Sequence, residues 1–249
     1  MSETATRLLI DVGNSRLKWA LADEQRILGP GEALAHGGDP AALIERLDLP
    51  QGVRAAWIAN VTGNDLGERL AAELWQRHRL TSHFARPVDG VRGLSIAYQD
   101  PARLGVDRWL ALLAAWTRDR AAACVVSAGT ALTFDAVDGR GQHLGGIIAS
   151  GLTTAQQAVL GATRFAAAGP EREYSAGLGT DTEACVRQGA LHACAGLVER
   201  LAARHGGERR YLSGGDAETL LPHLSGDWLL VPDLVLEGLH ESVGKPGAR

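Results

Sequence analysis

The apolar run Leu8-Leu9-Ile10 ends on Asp11, and Gly13, Asn14, Ser15 and then Lys18 follow within seven residues. A carboxylate that closes a buried strand is costly unless it is paired, hydrogen-bonded or set against a cation. The small polar residues behind it can turn tightly and offer backbone N–H groups and a hydroxyl to a phosphate. Asp11 could hold Mg²⁺ through water, because that ion keeps most of its waters and takes few carboxylates. Lys18 could add positive charge beside the β- and γ-phosphates of a nucleotide. A plain Asp-led turn in a hairpin would use the same residues. What favours phosphate is a second such loop, Ser127-Ala128-Gly129-Thr130-Ala131, which again follows an apolar strand and lies 116 residues further on.

Two more stretches carry chemistry. In "LGVDRW" (104–109), Asp107 and Arg108 open an otherwise apolar helix. An acid in the first turn suits the helix dipole, and the same dipole keeps it ionised. Phosphoryl transfer tolerates such a weak base, since its transition state asks mainly for positioning and charge stabilisation. Asp107 could therefore take the proton of a substrate hydroxyl late, while Arg108 holds a substrate carboxylate. In "LSGGDAE" (212–218), Gly214 and Gly215 follow a strand, where they would let a flat base or ribose approach the backbone, although any strand-to-helix turn could look the same.

These residues must be positioned by a folded α/β chain. With 249 residues, 45% of them hydrophobic and 22% charged, there is material for a large core and for two halves. The net charge of −4 excludes a chain built as a basic nucleic-acid or membrane-surface binder. Three cysteines without C-x-x-C spacing and eight scattered histidines exclude a disulfide framework and the common zinc motifs. No apolar run is long enough to span a bilayer, and "MSETATR" has no apolar signal region; a cytoplasmic protein is expected. The pattern predicts strands at 8–12, 16–22 and 53–60, and helices after Asp39-Pro40, over 65–78 and over 105–119. Residues 29–40 read as turns. A strand, turn, strand, "DGRG" hairpin and third strand follow from 121 to 151, then helices at 153–163 and 181–205 and a strand at 209–214. The tryptophans at 19, 57, 75, 109, 116 and 228 are expected in the core. The repeated loop implies an internal duplication, with domains at 1–119 and 120–249.

The stretches "DVGNS" (11–15), "YQDPARLGVDRW" (98–109), "SAGTALTFD" (127–135), "HLGGIIASG" (143–151), "TEACVRQG" (182–189) and "SGGD" (213–216) fall in the order and spacing of type III pantothenate kinases, a family also described as Bvg-accessory-factor-like. The chain resembles that family from residue 8 to about 236. The resemblance implies the actin-like, sugar-kinase-like ATPase fold, with two duplicated ribonuclease-H-like domains and a nucleotide cleft between them. It implies phosphorylation of pantothenate by ATP, the first step toward coenzyme A, with Mg²⁺ and a monovalent cation (K⁺ or NH₄⁺). Residue by residue, Asp11, Gly13, Asn14, Ser15 and Lys18 resemble the first phosphate motif, and Gly129 with Thr130 the second. Asp107 matches the general base, Tyr98, Gly105, Arg108 and Thr182 the pantothenate pocket, and Gly214 and Gly215 the adenosine side. In the family Thr182 reaches the pocket from the partner subunit of a homodimer. One position departs: the second motif usually begins with Asp, a carboxylate associated with the monovalent cation, and Ser127 stands there. A weaker or altered K⁺ dependence follows. A rival reading is a nucleotide-binding regulatory protein with little turnover. Asp135 is retained without an assigned role.

Overall fold

The computed structural model describes residues 6–163 and 173–243. They form two compact units, one comprising residues up to Arg118 together with those from Asp233 onward, the other Asp119–Pro232.

In the first unit, β1 (Arg7–Val12), β2 (Arg16–Ala22) and β3 (Glu32–Ala35) form an antiparallel meander. Helix α1 (Ala41–Arg46) leads to β4 (Ala55–Asn60), and α2 (Asn64–His78) leads to β5 (Thr81–Phe84). β4 pairs parallel with β1 and β5 parallel with β4, which is why each needs a helical crossover. The sheet order is β3-β2-β1-β4-β5, so the strand that ends on Asp11 and Val12 is central. One face, through Leu8, Ile10, Leu17 and Ile58, packs against Leu43 of α1 and against Leu66, Leu70 and Leu74 of α2. Each fully buried leucine of this kind contributes about 1.5–3 kcal/mol. The alternation of the strand turns Leu9 and Asp11 to the opposite face. Helix α3 (Val106–Asp119) then completes the run of chain up to the second unit, and ten of its residues are buried.

The second unit repeats the plan. Its strands are β6 (Ala123–Ala128), β7 (Ala131–Val137) and β8 (His143–Ser150). Helices α4 (Leu152–Ala162) and α5 (Thr182–His205) precede β9 (Arg209–Ser213), and α6 (Ala217–Leu220) precedes the short β10 (Leu229–Leu230). The order β10-β9-β6-β7-β8, read from its other edge, reproduces that of the first sheet, with the same antiparallel and parallel neighbours. β1 and β6 begin 116 residues apart, the spacing of the two loops. Leu191, Cys194 and Val198 of α5 pack on Cys124, Val126, Phe134 and Leu212 of the sheet.

The last helix, α7 (Leu234–Ser242), returns to the first unit, where it packs on β1, β2 and β4. It meets α3 at Gly238, where a Cβ would stand 1.9 Å from the Leu110 carbonyl oxygen. The expected second domain of 120–249 is therefore too long at its C-terminal end: Asp233 and the helix after it belong with the first sheet, whose Asp11 face they cover.

Two further expectations change. Residues 29–40 contain β3, a strand too short and too exposed to show a period. Trp75 is 53% exposed, lying on the outer side of α2 with the Arg79 guanidinium 5.8 Å from its ring centre. Trp19, Trp109, Trp116 and Trp228 are buried as expected, and Trp57 is half-buried.

Candidate active site

Asp11 pairs across the sheet with Lys18 of β2 on one side and Ala59 of β4 on the other. It is half-buried. Burial pushes its carboxyl up to about 7, the Asp107 charge adds to the rise, and Lys18 opposes it. Asp11 and Asp107, 96 positions apart in sequence, thus come close enough in the first unit to act on each other electrostatically. A carboxylate raised by burial and by a neighbouring carboxylate marks a place short of positive charge, and a hydrated divalent cation on Asp11 suits it.

The loop between β1 and β2 is a tight hairpin. The Gly13 N–H donates to the Arg16 carbonyl at 3.0 Å, which leaves the Asn14 and Ser15 side chains exposed. The loop has a brace that sequence reasoning missed. His36, just after β3, puts its Nε2 2.8 Å from the Gly13 carbonyl. Its Nδ1 accepts from the Gly38 N–H at 2.9 Å, so Nε2 carries the proton and donates. His36 stood within the stretch read as turns, and nothing in its type or spacing there pointed to this contact.

Lys18 lies beside Asp11, but its Nζ is 2.8 Å from Asp233 Oδ1, both side chains being about one-fifth exposed. Asp233 Oδ2 accepts from the Gly31 N–H at 2.8 Å. The residue that opens α7 therefore fixes both Lys18 and the loop before β3. Sequence reasoning missed it because its segment was assigned to the other half.

The Asp107 constellation assembles at the start of α3. Asp107 Oδ1 accepts from the Arg108 N–H at 2.8 Å. Arg108 is buried, and its Nη1 donates to the Tyr98 hydroxyl at 3.2 Å. Gly105 leaves room for this carboxylate, since a Cβ there would lie 2.8 Å from Asp107 Oδ1. Tyr98, Gly105, Asp107 and Arg108 thus form one cluster.

In the second unit, Ser127 lies between Thr133 of β7 and Ser213 of β9. Just beyond it the Gly129 N–H donates to the Ala131 carbonyl at 3.1 Å. The Thr130 carbonyl accepts from the Gly151 N–H at 3.1 Å and from the Thr154 hydroxyl at 2.7 Å. Gly151 cannot be larger, because its Cβ would stand 1.7 Å from the Gly129 oxygen. Gly214 has φ +100°, and the Asp216 N–H donates to the Ala128 carbonyl at 2.9 Å. The loops holding Gly129-Thr130 and Gly214-Gly215 are therefore in direct contact. Asp135 is buried with His143, whose Nε2 is 3.1 Å from its Oδ1. Thr182 is the exposed first residue of α5, next to Asp181, whose carboxylate caps the helix through the Ala184 N–H at 2.8 Å.

Two sheets of the same five-strand order, each with a glycine-containing loop after its central strand, define a duplicated ribonuclease-H-like α/β fold. Solved structures agree on the fold: a Baf family protein of Campylobacter jejuni (TM-score 0.61, 20% identity, 95% of this chain and 96% of that one) and component A of the Acidaminococcus fermentans (R)-2-hydroxyglutaryl-CoA dehydratase (TM-score 0.56, 13% identity, 96% of both). The family model for type III pantothenate kinase matches residues 7–204. A type III pantothenate kinase of Thiobacillus denitrificans is 38% identical over 98% of both chains, and one of Xanthomonas campestris pv. campestris is 39% identical over 93% of this chain and 94% of its own. The chain belongs to the type III pantothenate kinase family.

Proposed function

We propose that this chain transfers the γ-phosphoryl group of ATP to the primary hydroxyl of pantothenate, the step that commits pantothenate to coenzyme A. The observation that carries the reading is the cluster of Tyr98, Gly105, Asp107 and Arg108 beside Asp11 in one unit of a family kinase fold. Arg108 holds the substrate carboxylate, with Tyr98 setting the guanidinium. Asp107, oriented by the Arg108 N–H, accepts the hydroxyl proton as the new O–P bond forms and the bond to the ADP oxygen breaks. Lys18, steadied by Asp233, adds charge beside the phosphates, and Gly13, Asn14 and Ser15 offer them donors. Within the second unit, Gly129 and Thr130 are a phosphate-binding loop, and Gly214 and Gly215, on the loop that touches it, take the adenosine. Mg²⁺ would be held by Asp11 through water, supplying positive charge to the leaving phosphates. The retained Asp107–Arg108 pair speaks against the purely regulatory reading. No described helix is long and apolar enough to cross a membrane, in keeping with work in the cytoplasm.

A homodimer with a shared site is part of the same proposal. What supports it is the apolar surface of the second unit: Leu144, Ile147 and Ile148 on edge strand β8, Val159 on α4 and Leu178 are all more than two-fifths exposed. An apolar edge of this kind is normally covered. Thr182 would then reach the pocket of the other subunit. Mixing inactive Asp107→Asn with inactive Thr182→Arg chains should restore activity through hybrid dimers, and full activity in a strictly monomeric species would refute the shared site. The reaction itself is tested by coupled ADP release on titrating pantothenate, with other hydroxy acids as controls. Pantothenate-independent release would contradict it.

A further inference from the structure

Resting on the kinase reading, we infer that Arg187 is a further ligand of the nucleotide, gripping a phosphate group from inside the second unit. Arg187 is only 9% exposed, and its Nε, fully buried, has no hydrogen-bond partner among the described residues. Among the described residues its guanidinium enters no ion pair. Its neighbour Gln188, equally buried, is satisfied, for its Oε1 accepts from the Ser175 N–H at 2.8 Å. Arginine cannot shed its proton to escape such a place, and a buried unpaired charge is strongly destabilising. Leu191, Cys194 and Val198 continue the same stripe of α5 into the core, so an apolar residue at 187 would pack more favourably in the empty protein. The charge there is accounted for by an anion.

The fold says which anion. Helix α5 ends at His205, and β9 starts at Arg209, so the C-terminus of the helix lies at the beginning of the parallel strands. Its first turns therefore lie at the far ends of β6 and β9, from which the Gly129-Thr130 and Gly214-Gly215 loops emerge. Ligands of α/β sheets bind outside these carboxyl ends. Two contacts agree with this placement. α5 packs on α6, the helix that follows the Gly214-Gly215 loop. The Tyr174 hydroxyl feels the charges of both Arg187 and Asp216. Tyr174 accepts from the Gln156 side-chain amide and so keeps its own proton to donate. A planar guanidinium fork with a hydroxyl donor nearby matches phosphate oxygens, and the phosphates of ATP are the anions that these loops serve.

The test uses the full chain carrying Arg187→Met and, separately, Arg187→Gln, compared with wild type in ADP affinity, adenosine affinity and melting temperature without ligand. The expected result is an ADP Kd weakened about tenfold or more, with adenosine changed less than about twofold. The KM for ATP should rise while that for pantothenate stays, and the ligand-free melting temperature should hold or rise because an uncompensated buried charge is gone. An ADP Kd unchanged in both variants overturns the inference, as does an equal loss of ADP and adenosine binding with a lowered melting temperature, which would make Arg187 a packing residue. The kinase reading fails separately: a wild type that binds ADP through Arg187 but phosphorylates no pantothenate would refute that reading and leave this one standing.

Discussion

Replacing Asp11 by Asn should stabilise the protein while destroying its activity, and the gain should depend on pH in a defined direction. The side chains are nearly isosteric, so the change is mainly one of charge. The Asp11 carboxyl rises from an ordinary 3.8 to about 7 in the folded state, chiefly through burial and then through Asp107. A group whose folded pKa exceeds its unfolded value favours the native state fully below the unfolded pKa and loses that contribution as pH climbs through the folded one. Wild-type stability therefore falls between about pH 4 and pH 7, where the unfolded chain has released the proton and the native chain has not. A rise of that size corresponds to about 4 kcal/mol at most, and relaxation around the site reduces the measured value to roughly half that. Asparagine escapes the cost. In chemical denaturation without nucleotide, Asp11→Asn should be more stable than wild type by about 2–4 kcal/mol at pH 8, and by less than half as much at pH 5. Mg²⁺ with ATP should stabilise wild type at pH 8 and fail to do so in the variant. A variant no more stable than wild type at pH 8, or a gain equal at both pH values, would refute the assignment of Asp11 as a carboxylate held at the expense of the fold.

The remaining predictions concern the other residues of the site. Asp107→Asn should keep nucleotide binding and thermal stability while turnover drops about 10²-fold or more, the usual scale for a positioned base; near wild-type turnover would remove Asp107 from that role. Gly105→Ala places a Cβ 2.8 Å from Asp107 Oδ1 at a backbone conformation alanine can adopt. It should lower kcat about tenfold or more with little loss of stability, since small displacements of a reacting group are costly, and an unchanged kcat would show that the carboxylate position is not critical. Ser127→Asp restores a carboxylate beside the second loop, so its turnover should depend more steeply on K⁺ than that of wild type. Identical K⁺ titrations would mean that Ser127 is not at the cation position. Asp135 is no ready substitute, its carboxylate being buried against His143.

The groupings of the candidate site that the sequence displays are the local ones. Asp11 to Lys18 is a single hairpin, Tyr98 to Arg108 spans one loop and helix start, and Ser127 to Thr130 repeats the first hairpin at a constant offset. Each contact is fixed by turn chemistry and by strand or helix period, which a sequence displays. What was not legible depends on chain returning from a distance. Asp233 reaches Lys18 only because α7 returns to the first unit, where Gly238 lies close against Leu110. His36 braces the Gly13 loop through β3, a four-residue strand that no period reveals. Arg187 reads as one polar residue on a long helix; only its burial marks it. Trp75 shows the converse: its type suggests core, while the face of α2 it occupies is set by Leu66, Leu70 and Leu74.

The most direct test of the account is ³¹P NMR of the products formed from pantothenate, ATP and Mg²⁺, run in K⁺ and in NH₄⁺ with wild type and Asp107→Asn side by side. The account predicts one phosphomonoester of pantothenate for each ADP formed by the wild type, and almost none from the variant at equal nucleotide occupancy. ADP formed with inorganic phosphate in place of the phosphomonoester, or no product in either salt from a wild type saturated with both substrates, would contradict it.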